Sequence, residues 1–252
     1  MRVFTSLSNA ESEIRRDLTR ANKVPVLRVQ NRAVAALTVS TEALDYTYTL
    51  EASAVPESPE DLIDFGRAHF SWMGSAVVAD QLQEWLVLQT LERQNLQGLK
   101  PRENPSDLRH PLLRGLEPWP SYTYRERMVG MVDEIVNILL LDPFSRRAWW
   151  PIFHPGDSFR SSGASRVPCT LGYWFNIREV FGRSRFLGMT SVMRSMDFEH
   201  FWLTDVYLAV MLQREVLRRL KAIGQANSDL NLGWFTHQVL SFHYFSEDTE
   251  VY

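Results

Sequence analysis

Hydrophobic residues recur along this chain at two spacings, and each spacing predicts a type of secondary structure. Apolar positions three or four residues apart predict helices at residues 7–20, 60–72, 75–93, 128–140 and 203–223. Alternating or short continuous apolar runs predict strands at residues 24–37, 43–52, 147–153, 169–178, 185–195 and 234–245. Helices and strands alternate only loosely in this order, which favours a mixed sheet with helices packed on it.

Residues that interrupt regular structure define two boundaries between these elements. Ser58 and Pro59 form a side-chain cap followed by a first-turn proline, so we expect a helix to begin there. Residues 94–121 are rich in proline and polar residues, which predicts a long loop. The chain contains neither internal repeats nor a low-complexity tract, and we expect one domain over residues 1–252.

The overall composition is that of an ordinary soluble globular protein. Hydrophobic residues make up 45% of the 252 residues and charged residues 23%, and the net charge of −3 creates no field that would attract nucleic acid. We find no signal peptide and no apolar stretch long enough to span a bilayer. One cysteine cannot form an internal disulfide, which is typical of a reducing compartment. We therefore expect a cytoplasmic protein that binds neither nucleic acid nor a membrane.

Candidate chemistry centres on Cys169, the single cysteine of the chain. A lone cysteine is usually a small buried hydrophobic residue. Cys169, however, follows a proline and precedes the cluster Arg194-Ser195-Met-Asp197 by about two dozen residues. A thiol near arginine is favoured as a thiolate, and arginine with serine can bind an anion. The pattern indicates a nucleophile beside an anion-binding group.

Three segments together resemble the thymidylate synthase family, which includes the deoxycytidylate and cytidylate hydroxymethylases. They are Asp142-Pro-Phe-Ser-Arg146-Arg147, then Pro168-Cys169, and then Arg194-Ser195-Met-Asp197. A long apolar helix and a strand containing His243 follow in the expected order. The resemblance covers about residues 125–248, whereas residues 1–120 match poorly. It implies an α+β fold with a twisted mixed sheet, and a homodimer, formed sheet to sheet, whose active sites are shared between subunits.

The resemblance also implies a role for each matched residue. Cys169 would add to C6 of a pyrimidine nucleoside monophosphate and make C5 nucleophilic. The phosphate would be held by Arg194 and Ser195, and by Arg146 and Arg147 reaching from the partner subunit. Taken alone, Arg146 and Arg147 would be interpreted as solvated charges at a helix end. Because Cys169 and Arg194 occur at the spacing of the family, the phosphate-binding interpretation is favoured.

Two further matches concern the other ligand groups. Asp197 would contact 5,10-methylenetetrahydrofolate, although an aspartate here is also a preferred helix cap. His243 would contact a sugar hydroxyl, and the tyrosine that the family carries two residues later is Phe245 here. We expect no metal ion.

Asp205 indicates which base is bound. Counted from Arg194, it occupies the position where thymidylate synthases carry an asparagine that pairs with the uracil edge. Cytosine offers the opposite arrangement of donors and acceptors, which a carboxyl group can match. In the family, aspartate here is the hallmark of cytidylate hydroxymethylases. The alternative is an aspartate that stabilises a helix N-terminus.

Several positions depart from the family pattern. Thr170 replaces a histidine, and Trp174 replaces a glutamine. Matching Trp72 to the tryptophan of the family's Glu-x-x-Trp motif puts His69 in place of the general acid/base glutamate, with Glu60 and Glu84 as alternatives. Tyr122 lies in a segment that faintly resembles a family loop near the cysteine, and a surface turn explains it equally well.

One feature near the N-terminus and one at the C-terminus also differ from the family pattern. The family's phosphate-loop arginine has Arg15, Arg16 and Arg20 as candidates, although each fits a solvated helix charge better. The sequence ends at Tyr252, before the tail that closes over folate in the family, which fits hydration of the intermediate better than its reduction.

The function that the sequence favours is folate-dependent hydroxymethylation of C5 in CMP or dCMP. Three alternatives remain open: a thymidylate synthase or a dUMP hydroxymethylase, an enzyme with another one-carbon donor, and a non-catalytic relative that binds nucleotides or a partner protein.

Overall fold

The computed structural model describes residues 2–25, 28–29, 32–33, 39–69, 127–128, 130–159, 167–180, 184–199, 201–223 and 227–245. Four α-helices lie in these ranges: α1 (Leu7–Thr19), α2 (Pro59–His69), α3 (Met131–Leu141) and α4 (Trp202–Ile223). The strands are β1 (Arg2–Phe4), β2 (Asn22–Pro25), β3 (Arg28–Val29), β4 (Arg32–Ala33), β5 (Val39–Glu51), β6 (Trp149–Pro151), β7 (Thr170–Val180), β8 (Ser184–Met193), β9 (Met196–Asp197) and β10 (Leu230–Phe245). Short 3₁₀ turns occur at Ala52–Ala54 and Pro155–Phe159.

One mixed sheet forms the centre of the described structure. Its main order is β1-β5-β10-β8-β7-β6, with β2 paired to β5 and β9 paired to β10. Strands β1 and β5, and strands β8 and β10, run parallel, whereas β5–β10, β7–β8 and β6–β7 are antiparallel. Strands β3 and β4 form a separate two-stranded sheet.

The two faces of this sheet differ in burial. Residues that pair across neighbouring strands point to the same face. The row Tyr173, Ser191, His237 and Tyr48 is buried, and α4 packs against β8 and β10. The adjacent row, one residue away on each strand, points to the opposite face. It contains Trp174, Thr190, Thr236 and Thr49, of which the first three are only half-buried. One face thus forms the hydrophobic core, and the other is less completely buried at these positions.

A buried chain of polar groups connects the sheet to the start of α4. Trp202 Nε1 donates to the hydroxyl of Tyr48 at 2.7 Å, and this hydroxyl lies 2.9 Å from His237 Nδ1. Burial lowers the pKa of His237 to about 3, so the ring is neutral. A neutral ring that accepts the tyrosine proton at Nδ1 carries its own proton on Nε2. The chain fixes α4 against β5 and β10.

Local sequence explains where the helices begin. The Ser6 hydroxyl accepts from the Asn9 amide at 3.2 Å and caps α1. Ser58 accepts from the Asp61 amide at 3.1 Å and donates to its carboxylate at 2.7 Å, and Pro59 is the first residue of α2. The predicted Ser58–Pro59 start is therefore confirmed.

Most predicted elements are present, and one is wrong. A single strand over residues 24–37 is replaced by the end of β2 at Pro25 and the short β3–β4 hairpin. Proline lacks an amide donor, which is consistent with a strand that stops there. Strand β10 also begins earlier than predicted, at Leu230.

Gly233 explains the irregularity near the start of β10. The pairing with β8 shifts between Leu232 and Phe235. A Cβ atom on Gly233 would lie 2.7 Å from the Leu187 carbonyl oxygen, so only glycine fits there.

The predicted helix at 75–93 and loop at 94–121 lie outside the described residues. No helix in the described part is long and apolar enough to cross a membrane.

Candidate functional site

Cys169 lies immediately before β7, at the edge of the hydrophobic core, and its side chain is half-buried. The hydroxyl of Ser195 lies 3.6 Å from its sulfur, and Nη2 of Arg194 lies 3.8 Å from it. A thiolate is stabilised by a nearby guanidinium and by hydroxyl donors. The three side chains that the sequence grouped are thus in contact around one sulfur atom.

Pairing between strands brings these residues together across 25 positions of sequence. Thr170, which begins β7, pairs with Met193, which ends β8. The Arg194 amide then donates to the Cys169 carbonyl at 2.8 Å, and the Ser241 amide donates to the Arg194 carbonyl at 3.1 Å. Three neighbouring strands therefore fix the backbone at the site.

The guanidinium of Arg194 is oriented by main-chain oxygens. Nε donates to the Pro168 carbonyl at 2.9 Å, and Nη2 donates to the Val167 carbonyl at 3.0 Å. Among the residues that the structure describes, no carboxylate pairs with this guanidinium. Its positive charge and its remaining Nη1 donors are available to an anion, because Arg194 is also exposed.

Asp197 and His243 are partners across a short parallel pairing. Strand β9 pairs with β10 so that Asp197 lies opposite His243, and the Phe198 amide donates to the His243 carbonyl at 2.8 Å. Asp197 is buried, and its carboxylate accepts from the Glu199 amide at 3.1 Å. This side chain caps the turn that follows β9, whereas α4 begins later, at Trp202.

Asp205 lies in the first turn of α4 and is half-buried. Its amide donates to the Phe201 carbonyl at 2.9 Å, which continues the turn that starts at Asp197. Burial raises the pKa of Tyr48 well above its ordinary value, and the charges of Tyr46 and Asp205 add to this shift. Asp205 is thus close enough to the Tyr48–Trp202 pair to interact with it electrostatically.

Comparison with known proteins identifies the fold. No protein-family model and no curated protein matches the sequence. The structure is similar to thermostable thymidylate synthase A from Bacillus subtilis, with a TM-score of 0.58 and 12% identity. The match covers 96% of this chain and 81% of that chain. The chain has the thymidylate synthase fold. The predicted α+β class with a mixed sheet and packed helices is confirmed.

At 12% identity, the likeness defines the thymidylate synthase fold alone. The chemistry has to be inferred from the side chains around Cys169, and the roles assigned to them stay predictions.

Arg146 and Arg147 lie between α3 and β6, and both are exposed. The hydroxyl of buried Ser145 accepts from the Arg147 amide at 3.2 Å and holds this bend. Neither guanidinium forms a hydrogen bond or an ion pair within the described part of the chain. Both arginines are therefore exposed, and in the described part of the chain neither forms a hydrogen bond with Cys169, Arg194 or Ser195.

His69 ends α2 and belongs to a different set of contacts. Its Nδ1 lies 3.4 Å from the Glu11 carboxylate, and its ring stacks on Phe65 at 4.2 Å between centroids. The ring makes no hydrogen bond with Cys169. A proton-transfer role for His69 therefore stays a prediction, and Tyr122, Trp72 and Glu84 lie outside the described residues.

Sequence analysis missed the role of Arg15, which it interpreted as a solvated helix charge. This side chain is half-buried and pairs with Glu11 on the same helix and with Glu199 far along the chain. The four-residue spacing of Glu11 and Arg15 was a detectable signal for the first pair. No sequence signal points to Glu199.

Proposed function

We propose that this protein transfers a one-carbon unit to C5 of a pyrimidine nucleoside monophosphate, and that it converts CMP or dCMP to the 5-hydroxymethyl product. The observation that carries the proposal is the half-buried Cys169 sulfur with Arg194 and Ser195 beside it. A structural cysteine needs no cation or hydroxyl donor, whereas a nucleophile does.

Cys169 begins the reaction in this proposal. Its thiolate forms a bond to C6, and the electrons of the C5–C6 double bond make C5 nucleophilic. Arg194 and Ser195 lie beside this sulfur atom. After C5 has gained its substituent and lost its proton, the bond between Cys169 and C6 breaks, and the thiolate leaves.

Asp197 is the residue proposed to hold the folate. The assignment follows the family resemblance, and it is supported by the position of this carboxylate at the turn after β9, next to the strand that carries His243. When bound, 5,10-methylenetetrahydrofolate would supply the one-carbon unit at the oxidation level of formaldehyde and would leave as tetrahydrofolate after its bond to this carbon breaks. Addition of water to the transferred carbon would give the hydroxymethyl group, whereas addition of hydride would give a methyl group.

The phosphate is assigned to the arginine cluster. The Arg194 guanidinium and the Ser195 hydroxyl both lie next to the Cys169 sulfur, which supports the assignment of an anionic group to this end of the site. A nucleoside monophosphate is a dianion, and guanidinium groups bind it through paired hydrogen bonds. Arg146 and Arg147 are assigned to the same phosphate from a second subunit, because their guanidinium groups form no hydrogen bond or ion pair among the described residues.

The less buried face of the sheet supports a homodimer. Three tryptophans, Trp149, Trp174 and Trp234, have partly exposed side chains on or beside this face. A Cβ atom on Gly172 would lie 2.5 Å from the Trp149 ring, so glycine allows Trp149 to lie flat against β7. Exposed apolar patches of this kind are typical of interfaces. Packing two such faces together would also bring the Arg146–Arg147 edge to the partner.

The substrate is tested by incubating the protein with labelled 5,10-methylenetetrahydrofolate and CMP, dCMP, UMP or dUMP in turn. We expect a cytidylate product that is heavier by one CH₂O unit, measured by mass spectrometry. A methylated uridylate would instead identify a thymidylate synthase. Nucleotide-dependent thermal stabilisation without any product would identify a binding protein and contradict the proposal.

Shared active sites predict recovery of activity in mixed dimers. Arg147→Ala and Cys169→Ser should each be inactive alone, since one lacks a phosphate donor and the other lacks the nucleophile. Refolding equal amounts together should restore roughly a quarter of the wild-type activity, because half of the dimers are mixed and each contains one intact site.

The mixed dimers can be verified with two different affinity tags. A mixture of Arg185→Ala, which removes the ion pair with Asp229, with Cys169→Ser controls for the refolding step. Verified mixed dimers of Arg147→Ala and Cys169→Ser without activity would contradict shared sites.

A further inference from the structure

Arg15 connects three separate parts of the chain. Its Nε donates to Glu11 at 2.6 Å, its Nη1 donates to Glu199, and its Nη2 donates to the His69 carbonyl at 3.2 Å. The guanidinium carbon also lies 5.0 Å from the centroid of the Phe198 ring. Helix α1 is therefore joined through one side chain to the end of α2 and to the turn that follows β9.

This turn contains the contacts that place Asp197. The Glu199 amide donates to the Asp197 carboxylate at 3.1 Å, and the Phe201 amide donates to the Asp197 carbonyl at 3.1 Å. A movement of Glu199 would therefore move the donor that orients the Asp197 side chain. The Glu199 carboxylate, in turn, is held by Arg15.

We infer that Arg15 is a positioning residue for the Asp197 turn, and so for the folate contact assigned to Asp197. The folate contact rests on the proposed function. The coupling between Arg15 and the turn rests on the observed contacts alone. Among the described residues, Arg15 forms ion pairs with Glu11 and Glu199, and no hydrogen bond joins it to Cys169.

Charge and shape explain why arginine is required here. Glu11 and Glu199 are mostly buried, so removal of the cation would leave two poorly solvated carboxylates facing the same space. Lysine has a single compact ammonium group and does not reproduce the planar guanidinium that serves three acceptors in different directions. The expected consequence is a displaced turn, with the rest of the sheet unchanged.

The first test measures the turn directly. Amide hydrogen exchange in Arg15→Met should be several-fold faster in the peptide covering residues 197–201 than in the wild type, since opening of this turn becomes easier. The control is Arg16→Met, which removes an exposed pair with Glu13 on the same helix. Unchanged exchange at 197–201 in folded Arg15→Met would overturn the inference, whether or not the protein is an enzyme.

The second test measures the consequence for the ligand. In Arg15→Met, the KM for 5,10-methylenetetrahydrofolate should rise on the order of tenfold, while the KM for the nucleotide changes little. Exchange of C5 tritium without folate should persist, because Cys169, Arg194 and Ser195 keep their contacts. Equal increases in both KM values would overturn the folate assignment.

Two milder variants keep the inference testable if Arg15→Met does not fold. Glu199→Gln keeps an acceptor for Arg15 and removes the charge, so it should reproduce a smaller part of both effects. Arg15→Lys should fall between the wild type and Arg15→Met. If exchange at the turn increases but the wild type converts no nucleotide, then the proposed function fails while the coupling between Arg15 and the turn stands.

Discussion

Cys169→Ser is expected to abolish exchange of C5 tritium from the bound cytidylate, with a loss of about a thousandfold or more. A serine hydroxyl is far less acidic than a thiol and supplies almost no anion for addition to C6. The reaction is measured as tritium released to water from [5-³H]CMP or [5-³H]dCMP. Leaving folate out of the assay isolates the cysteine step from the one-carbon transfer.

Binding provides the control for this variant. Arg194 and Ser195 are unchanged in Cys169→Ser, so nucleotide-dependent thermal stabilisation should stay close to that of the wild type. Ser184→Ala, at the exposed start of β8, serves as a matched substitution that should keep both activities. Tritium exchange that survives in Cys169→Ser would mean that no covalent cysteine adduct forms.

Asp205→Asn is expected to move the base preference from cytosine towards uracil by about a hundredfold or more. The amide donates to O4 and accepts from N3–H of uracil, whereas the carboxyl group of Asp205 matches the reversed edge of cytosine. A wrong pairing leaves buried polar groups without partners, which is why the discrimination is large. The quantity to measure is the ratio of kcat/KM for the two bases on the same sugar.

A surface aspartate separates this effect from a simple change of charge. Asp229→Asn removes an exposed pair with Arg185 and should leave the base ratio unchanged. If Asp205→Asn keeps its activity together with the original base ratio, the base is recognised by other residues, and the cytidylate assignment loses its support.

Local pattern predicted the elements that build the site. Strands β7 and β8 and helix α4 were located from hydrophobic spacing, because each buries one face of a regular element. The start of α2 was located from Ser58 and Pro59, whose cap geometry is local. The strand predicted at 24–37 failed because hydrophobic composition alone does not show where the pairing partner ends.

Contacts between residues far apart in the sequence were harder to predict than the local elements. Arg15 and Glu199 are 184 positions apart, so no local pattern connects them. A charged residue on a helix is expected to be exposed, which is why Arg15 was interpreted as a solvated charge. His237 and Tyr48 are 189 positions apart, and nothing in either segment indicates that they share a buried hydrogen bond. The proximity of Cys169 and Arg194 was predicted from the residue types around them and from the family resemblance, since antiparallel register is not visible in one strand.

The way Arg194 is anchored has a consequence for how this site can diverge. Its two anchoring oxygens belong to the peptide groups of Val167 and Pro168, and every amino acid provides such an oxygen. Substitutions of the Val167 side chain therefore leave the anchor in place as long as the strand ends keep their geometry. A guanidinium held by main-chain oxygens can keep its position when many of the surrounding side chains are substituted. A low sequence identity therefore gives little information about whether this cation still faces the sulfur.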